Sequence, residues 1–237
     1  MKMTRRIQHA LVISLLGVLS ACSSISTVKH VPDTTKTFTT VVVDAGHGGK
    51  DNGAYRKYGG AEKVATLDVA QRLQRKLRES QLRTVMTRST DVFIELDDRV
   101  RMENAQKNSI FVSIHFNDSR KRGIHGFETY YHSSASRDLA ARIQAKLLTI
   151  PHSMDRGIHT ANFRVLRNAR YPAVLVECGF LSNRAEGDKA RDSEYREVLA
   201  DRIAEAIVET RYGGGVYHVA AQAPAEQSMP GPGMGAH

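Results

Sequence analysis

Cysteine, tryptophan and long apolar segments are scarce or absent in this chain of 237 residues. The two cysteines, Cys22 and Cys178, are too few for a disulfide-stapled scaffold or for a cysteine-rich zinc or iron–sulfur site. Hydrophobic residues make up 41% of the chain and charged residues 25%, which is too polar for a protein with several membrane spans. Ten histidines remain, so a metal site would have to combine histidine with carboxylates.

The first 21 residues have the features of a secretory signal. Lys2, Arg5 and Arg6 precede an apolar run over residues 11–19, which is too short to span a bilayer. An N-terminal helix of a cytosolic protein is the alternative, but charges flank this run on one side only. Removal of the signal takes away three basic and no acidic residues, which lowers the formal net charge from +9 to +6.

The end of this signal, Leu19-Ser20-Ala21-Cys22, resembles the bacterial lipobox, in which the cysteine is acylated and becomes the mature N-terminus. The resemblance implies a lipid on Cys22 that binds the chain to a membrane. Ser23, rather than an aspartate, resembles lipoproteins sorted to the outer membrane. We therefore expect an exported protein at the periplasmic face, as an outer-membrane lipoprotein; a plain secreted protein with a chance cysteine is the alternative.

Composition divides the rest of the chain into three parts. Residues 22–37 are polar and rich in Ser and Thr, which is typical of a tether. Residues 38–212 are long enough for one domain with a sizeable core. Residues 213–237 are rich in Gly, Pro and Ala without apolar periodicity, which predicts a disordered tail.

Within the central part, strand and helix patterns alternate. Continuous apolar runs typical of strands buried on both faces occupy residues 40–43, 110–114 and 173–176, and extended segments occupy 82–87 and 127–131. Helical patterns cover residues 64–77, 97–107, 139–147 and 198–207. This alternation predicts an α/β fold: a three-layer sandwich with a mostly parallel central sheet.

Polar residues follow the three apolar strands. We therefore expect His47, His115 and Glu177 to lie at the carboxyl edge of the sheet, where open α/β sheets bind ligands. Glu62 opens the first helix, and its carboxylate either joins the same site or only stabilises the helix N-terminus. Two histidines and one glutamate form a ligand set of catalytic zinc that leaves the fourth position to water. Asp44 either orients an imidazole or binds its own loop.

Several blocks of the sequence resemble the zinc-dependent N-acetylmuramoyl-L-alanine amidases, in the family's order over residues 40–212: VVVDAGHGGKDNGA, GGAEK, SIFVSIHFND, GFETYY, RGIH and YPAVLVECGFLSN. The resemblance implies a zinc-carboxypeptidase-like fold and one zinc ion on His47, Glu62 and His115. It also implies that Glu177 is the catalytic carboxylate and that peptidoglycan is the substrate. The RGIH block lies near the cleft in this family, so His159, together with Asn117, is a candidate for substrate contact.

The sequence departs from the family at two places. Asp118 stands where family members usually have a small residue, a change that we expect at the rim of the cleft. Only a modest helix fits between His115 and Glu177, whereas regulated members insert a long helix there that covers the zinc. The sequence does not identify a protein activator.

We therefore predict an amidase that cleaves between N-acetylmuramic acid and L-alanine during wall remodelling, daughter-cell separation or recycling. The alternative is a non-catalytic peptidoglycan-binding lipoprotein that has lost its metal. A nucleic-acid partner is not expected, because tryptophan is absent and the basic residues follow no RNA- or DNA-binding motif. For Cys178 we expect a small buried residue rather than a nucleophile.

Overall fold

The computed structural model describes residues 30–213. The predicted signal over residues 1–21, the lipid site Cys22 and the predicted tail beyond Gly213 lie outside the described residues. Thr34 and Thr35 are buried, and the Thr34 hydroxyl donates to the carbonyl of Ser109 at 2.7 Å. The packed domain therefore includes residues slightly before the predicted boundary at residue 38.

The described chain contains eight strands and six helices, with a short 3-10 turn before α3. The strands are β1 (Thr40–Ala45), β2 (Tyr55–Arg56), β3 (Gly60–Ala61), β4 (Arg83–Met86), β5 (Ser109–Asn117), β6 (Phe127–Tyr131), β7 (Asp155–Thr160) and β8 (Ala173–Phe180). The helices are α1 (Glu62–Glu79), α2 (Leu96–Asn104), α3 (Arg137–Leu147), α4 (Arg164–Arg167), α5 (Arg184–Arg191) and α6 (Ser193–Tyr212).

Six strands form the central sheet in the order β4-β1-β5-β8-β6-β7, and β2 pairs with β3 in a small separate ribbon. Strands β4, β1, β5 and β8 are parallel. The sheet changes direction once, because β6 runs antiparallel to β8, and β7 is then parallel to β6. The prediction of a three-layer fold with a mostly parallel sheet is confirmed.

Helices cover both faces of the sheet, which explains the continuous apolar runs. Val41 and Val43 of β1 point into the large core beneath α1, α3 and α6, whereas Val42 points into a smaller cluster. That smaller cluster also contains Phe111 and Val165, and α2 and α4 lie beside it. Among the described residues, none of the helices has the length and hydropathy that crossing a membrane requires.

The sequence patterns missed strand β7. Its segment, Asp155–Thr160, is polar and half-exposed or exposed, because the strand lies at the edge of the sheet. An edge strand needs few apolar side chains, so the alternation that reveals other strands is absent. His159 therefore lies on a strand instead of in or near a loop.

Candidate metal centre

Three elements bring two imidazoles and one carboxylate together at the carboxyl edge of the sheet. His47 follows β1, His115 lies near the end of β5, and Glu62 is the first residue of α1. The Oε1 atom of Glu62 lies 3.0 Å from Nε2 of His47 and 3.0 Å from Nδ1 of His115. One donor atom from each of the three side chains lies within 4.8 Å of the others. These are the three residues that the family resemblance implies as zinc ligands.

The backbone around His47 is shaped to allow this approach. His47 itself has a φ of 61°, an uncommon conformation for a residue with a side chain. A Cβ atom on Gly46 would lie 2.4 Å from Cε1 of His115, and a Cβ atom on Gly53 would lie 2.5 Å from Oε2 of Glu62. Both positions therefore require glycine, because any side chain would displace a candidate ligand.

Asp51, which the sequence analysis did not select, fixes the orientation of His47. Its Oδ2 atom lies 2.8 Å from Nδ1 of His47, so Nδ1 carries a ring proton and Nε2 is the nitrogen available to a metal ion. Nε2 lies 3.0 Å from Oε1 of Glu62, a spacing that a shared proton or a metal ion between the two atoms bridges. Although burial acts in the opposite direction, Glu62 and Asp51 raise the pKa of His47. A zinc ion matches this donor set.

Glu62 is buried and held from four directions. The backbone N–H of Ala54 donates to Oε2 at 2.9 Å, and that of Phe116 donates to Oε1 at 3.1 Å. Burial favours the neutral acid, but the hydrogen bonds from His115 and His47 outweigh it and hold the pKa of Glu62 well below its usual range. The carboxylate is therefore charged and preorganised to bind a cation.

Asp44 bonds neither an imidazole nor its own loop, but side chains from three distant segments. Its carboxylate accepts from the Nη1 of Arg99 at 2.5 Å and from the hydroxyls of Thr87 and Ser113, each at 2.6 Å. Arg99 also donates to the carbonyl of His47 at 2.7 Å. The structure shows neither of the two roles considered for Asp44: its carboxylate anchors the arginine that holds the His47 loop.

Glu177 lies beside the three candidate ligands. It is the register partner of His115 on the neighbouring strand β8. Its Oε2 atom is buried and has no hydrogen-bond partner among the described residues. Burial, together with the charges of Glu62 and Glu128, raises the pKa of Glu177 well above its usual value. A carboxyl group in this state is suited to move a proton.

Glu128, a second residue missed by the sequence analysis, faces Glu177 across the β6–β8 pair. It is buried and accepts from Nδ2 of Asn117 at 2.7 Å, from the hydroxyl of Tyr130 at 2.9 Å and from Nε of Arg156 at 2.7 Å. Glu128 could have been predicted from its place within the aromatic strand GFETYY, because a charged side chain in a buried strand needs hydrogen-bond partners.

The two candidates for substrate contact lie beside this group. The side chain of Asn117 bonds Glu128, and Nε2 of His159 lies 2.8 Å from the carbonyl oxygen of Arg156. The ring of His159 is exposed, 5.6 Å from that of Tyr130. Neither residue is among those that line the cleft, and their contact with substrate stays a prediction.

A cleft of about 540 Å³ opens over the site. His47, His115 and Glu177 line it together with the apolar residues Phe93, Ile94, Leu96, Phe163 and Val165. Helix α3, the longest helix between β5 and β8, packs against α6 on the far layer and does not cover the cleft.

Cys178 does not take part in this site. It is fully buried within the large core, and burial raises the pKa of its thiol well above the usual value. The expectation of a small buried residue is confirmed.

Comparisons with known proteins agree with this geometry. The family model for N-acetylmuramoyl-L-alanine amidase matches residues 41–209. The chain is 39% identical over 172 residues to the uncharacterized protein YqiI of Bacillus subtilis, covering 71% of this chain and 82% of that protein. It is 36% identical over 173 residues to the N-acetylmuramoyl-L-alanine amidase LytC of the same organism, covering 71% of this chain but only 35% of LytC. The solved catalytic domain of CwlV, an amidase of Paenibacillus polymyxa, superposes with a TM-score of 0.69 at 40% identity, covering 73% of this chain and 97% of that domain.

Proposed function

Because the chain belongs to the N-acetylmuramoyl-L-alanine amidase family, we propose that it hydrolyses the amide bond between N-acetylmuramic acid and L-alanine in peptidoglycan. The observation that carries the proposal is the convergence of His47, Glu62 and His115 beside Glu177, whose Oε2 atom has no hydrogen-bond partner within residues 30–213. Such an arrangement combines a metal site with a proton carrier, which is what hydrolysis of a stable amide requires.

One zinc ion would be held by His47, Glu62 and His115. When bound, zinc supplies Lewis-acid polarisation of the scissile carbonyl and acidifies water. Asp51 keeps Nε2 of His47 free to bind the metal, and the backbone N–H groups of Ala54 and Phe116 hold the Glu62 carboxylate in place.

Glu177 would carry the proton. Its Oε2 atom accepts a proton from the attacking water while the water oxygen bonds the carbonyl carbon. The same carboxyl then donates that proton to the nitrogen of L-alanine as the carbon–nitrogen bond breaks. The raised pKa of Glu177 makes its carboxylate a stronger base, which favours proton transfer from the water.

Release of soluble stem peptides from purified sacculi tests this proposal. We expect release by the zinc-loaded chain, loss of release with chelator and recovery with added zinc. Glu177→Gln should bind zinc normally but lower the rate at least about a hundredfold. Full activity of Glu177→Gln would contradict the mechanism, and binding to sacculi without peptide release would support the non-catalytic alternative.

The cellular role that follows is turnover of the wall in remodelling, daughter-cell separation or recycling. A lipid on Cys22 would hold the chain at the periplasmic face of the outer membrane. Cys22→Ser should then move the protein from the membrane fraction to the soluble fraction. Retention of this variant in the membrane fraction would contradict the lipid anchor.

A further inference from the structure

Three loops meet at the carboxyl edge of the sheet, beside the metal centre but outside the cleft: those between β2 and β3, between β5 and β6, and between β8 and α5. The last two are joined by hydrogen bonds. The backbone N–H of Ser119 donates to the hydroxyl of Ser182 at 2.9 Å, and Nδ2 of Asn183 donates to the carbonyl of Arg122 at 3.1 Å. These loops therefore form one continuous surface.

The first of these loops joins the other two through side chains. The guanidinium of Arg184 lies 5.1 Å from the centre of the Tyr58 ring. Arg56 forms an ion pair with Asp118 at 2.5 Å, which neutralises the acidic residue of the β5–β6 loop. The other charged side chains of the three loops are all basic.

Five exposed cations, which we call the basic surface, lie on these loops or at the start of α5: Lys57, Arg120, Lys121, Arg122 and Arg184. Arg184 approaches Asp188 only at 3.9 Å, and within residues 30–213 none of the other four side chains forms an ion pair. By contrast, Arg72 and Lys76 on the far layer are paired with Glu197. Positive charge that is not neutralised within the protein attracts an anionic partner.

The position of the basic surface favours a ligand that belongs to the substrate. The described chain begins at the opposite edge of the sheet, where Nε of Arg211 donates to the carbonyl of Phe38 at 2.7 Å. The basic surface lies at the other edge of the sheet, which also carries the candidate metal centre.

We propose that the basic surface binds the free carboxylates of peptidoglycan stem peptides while a neighbouring amide bond lies in the cleft. The inference rests on the proposed function, because that function supplies a polymer with regularly spaced carboxylates. Electrostatic binding of this kind raises local substrate concentration and weakens with salt.

Sedimentation with intact sacculi tests the inference in the full chain. Every sample carries Glu177→Gln, so binding is measured without cleavage. Arg120→Glu combined with Arg122→Glu should reduce the bound fraction about tenfold. Lys36→Glu combined with Lys107→Glu makes the same charge change at the opposite edge and should leave binding unchanged. Thermal unfolding of both variants checks that they are folded.

A second arm changes the polymer instead of the protein. In this arm the protein carries Glu177→Gln but no charge reversal. Its bound fraction should fall when the carboxyl groups of the sacculi have been converted to neutral amides. Equal retention on treated and untreated sacculi would overturn the inference. Retention that survives amidation but is lost in the Arg120 and Arg122 variant would identify a phosphate polymer as the ligand, and would also overturn it. Either result leaves the amidase proposal intact, since peptide release is measured separately.

Discussion

Asp51 controls the metal-binding nitrogen of His47 through a single hydrogen bond of 2.8 Å. Asp51→Asn should weaken zinc binding about 10- to 100-fold, because a neutral amide oxygen is a weaker acceptor for the imidazole N–H than the carboxylate that fixes its tautomer. Competition with a chromogenic chelator measures this affinity. Asp138→Asn, which changes an exposed carboxylate on α3, is the matched control and should bind zinc as the parent does. Equal affinity of Asp51→Asn and the control would contradict this role.

Gly46 is required by the ring of His115, which occupies the place of a side chain. Gly46→Ala should lower bound zinc at least about tenfold, because a Cβ atom at 2.4 Å from the imidazole forces that ligand away. Gly123→Ala is the control, since a Cβ atom there meets nothing within 4 Å. Metal content after dialysis, with thermal unfolding beside it, separates loss of zinc from loss of fold. Normal zinc content in a folded Gly46→Ala protein would be inconsistent with this packing.

At the residue scale, the sequence was most informative about side chains that follow apolar strands. His47, His115 and Glu177 could be placed at one edge because parallel strands share their carboxyl end. The role of Asp51 could not be predicted, because an Asp-Asn-Gly segment after a glycine cluster is also typical of a turn. The partners of Asp44 were equally inaccessible, since they come from segments distant in sequence.

Asp118 links two elements of the site. Its bidentate ion pair with Arg56, at 2.7 and 2.5 Å, holds the β2–β3 ribbon against the end of β5. The loop before that ribbon carries Asp51, Gly53 and Ala54, all of which contact ligand side chains. The pair therefore connects the two segments that carry the metal centre.

We expect Asp118→Ala to weaken zinc binding about fivefold, corresponding to about 1 kcal/mol for a partly exposed bidentate pair. The reciprocal exchange, Arg56→Asp with Asp118→Arg, should restore much of the affinity, and isothermal titration measures both. Failure of the exchange to improve on Asp118→Ala would argue against a positioning role for the ion pair.

Helices α1 and α6 are joined by an ion-pair network around Glu197. Although burial opposes it, hydrogen bonds from Lys76 and Arg72 lower the pKa of Glu197 from 4.5 to about 2. A carboxyl group whose pKa is lower in the folded state stabilises the fold at pH values above its pKa in the unfolded chain. This contribution is lost as the pH falls from about 4.5 to about 2.

The free energy of unfolding of Glu197→Gln should therefore lie below that of the parent at neutral pH, by up to about 1 kcal/mol because the group is partly exposed. The difference should disappear near pH 2. Urea unfolding at several pH values measures it. A difference that stays constant with pH would show that packing, not charge, is responsible.

At the scale of elements, helices and central strands were predictable because each has a clear apolar period. The reversal of β6 was not, since direction depends on the connection and both directions bury the same side chains. Strand β7 and the two-residue strands of the ribbon lack an apolar pattern altogether.

At the scale of the whole molecule, the two edges of the sheet carry different features. The described chain begins and ends at one edge, where Nη1 of Arg211 donates to the carbonyl of Lys36 at 2.9 Å. The metal centre, the cleft and the basic surface lie at the other. The net positive charge could be calculated from the composition. The position of the unpaired positive charge could not, because it depends on which cations form ion pairs in the folded chain.

The central claim is that this site hydrolyses one amide bond, and the position of oxygen incorporation tests it most directly. A defined muropeptide is cleaved by the zinc-loaded chain in water labelled with the heavy isotope of oxygen, and the products are weighed by mass spectrometry. We predict one labelled oxygen in the lactyl carboxylate of the sugar product and an unlabelled peptide with a free L-alanine amine. Label in the peptide, or cleavage at a glycosidic or internal peptide bond, would contradict the account.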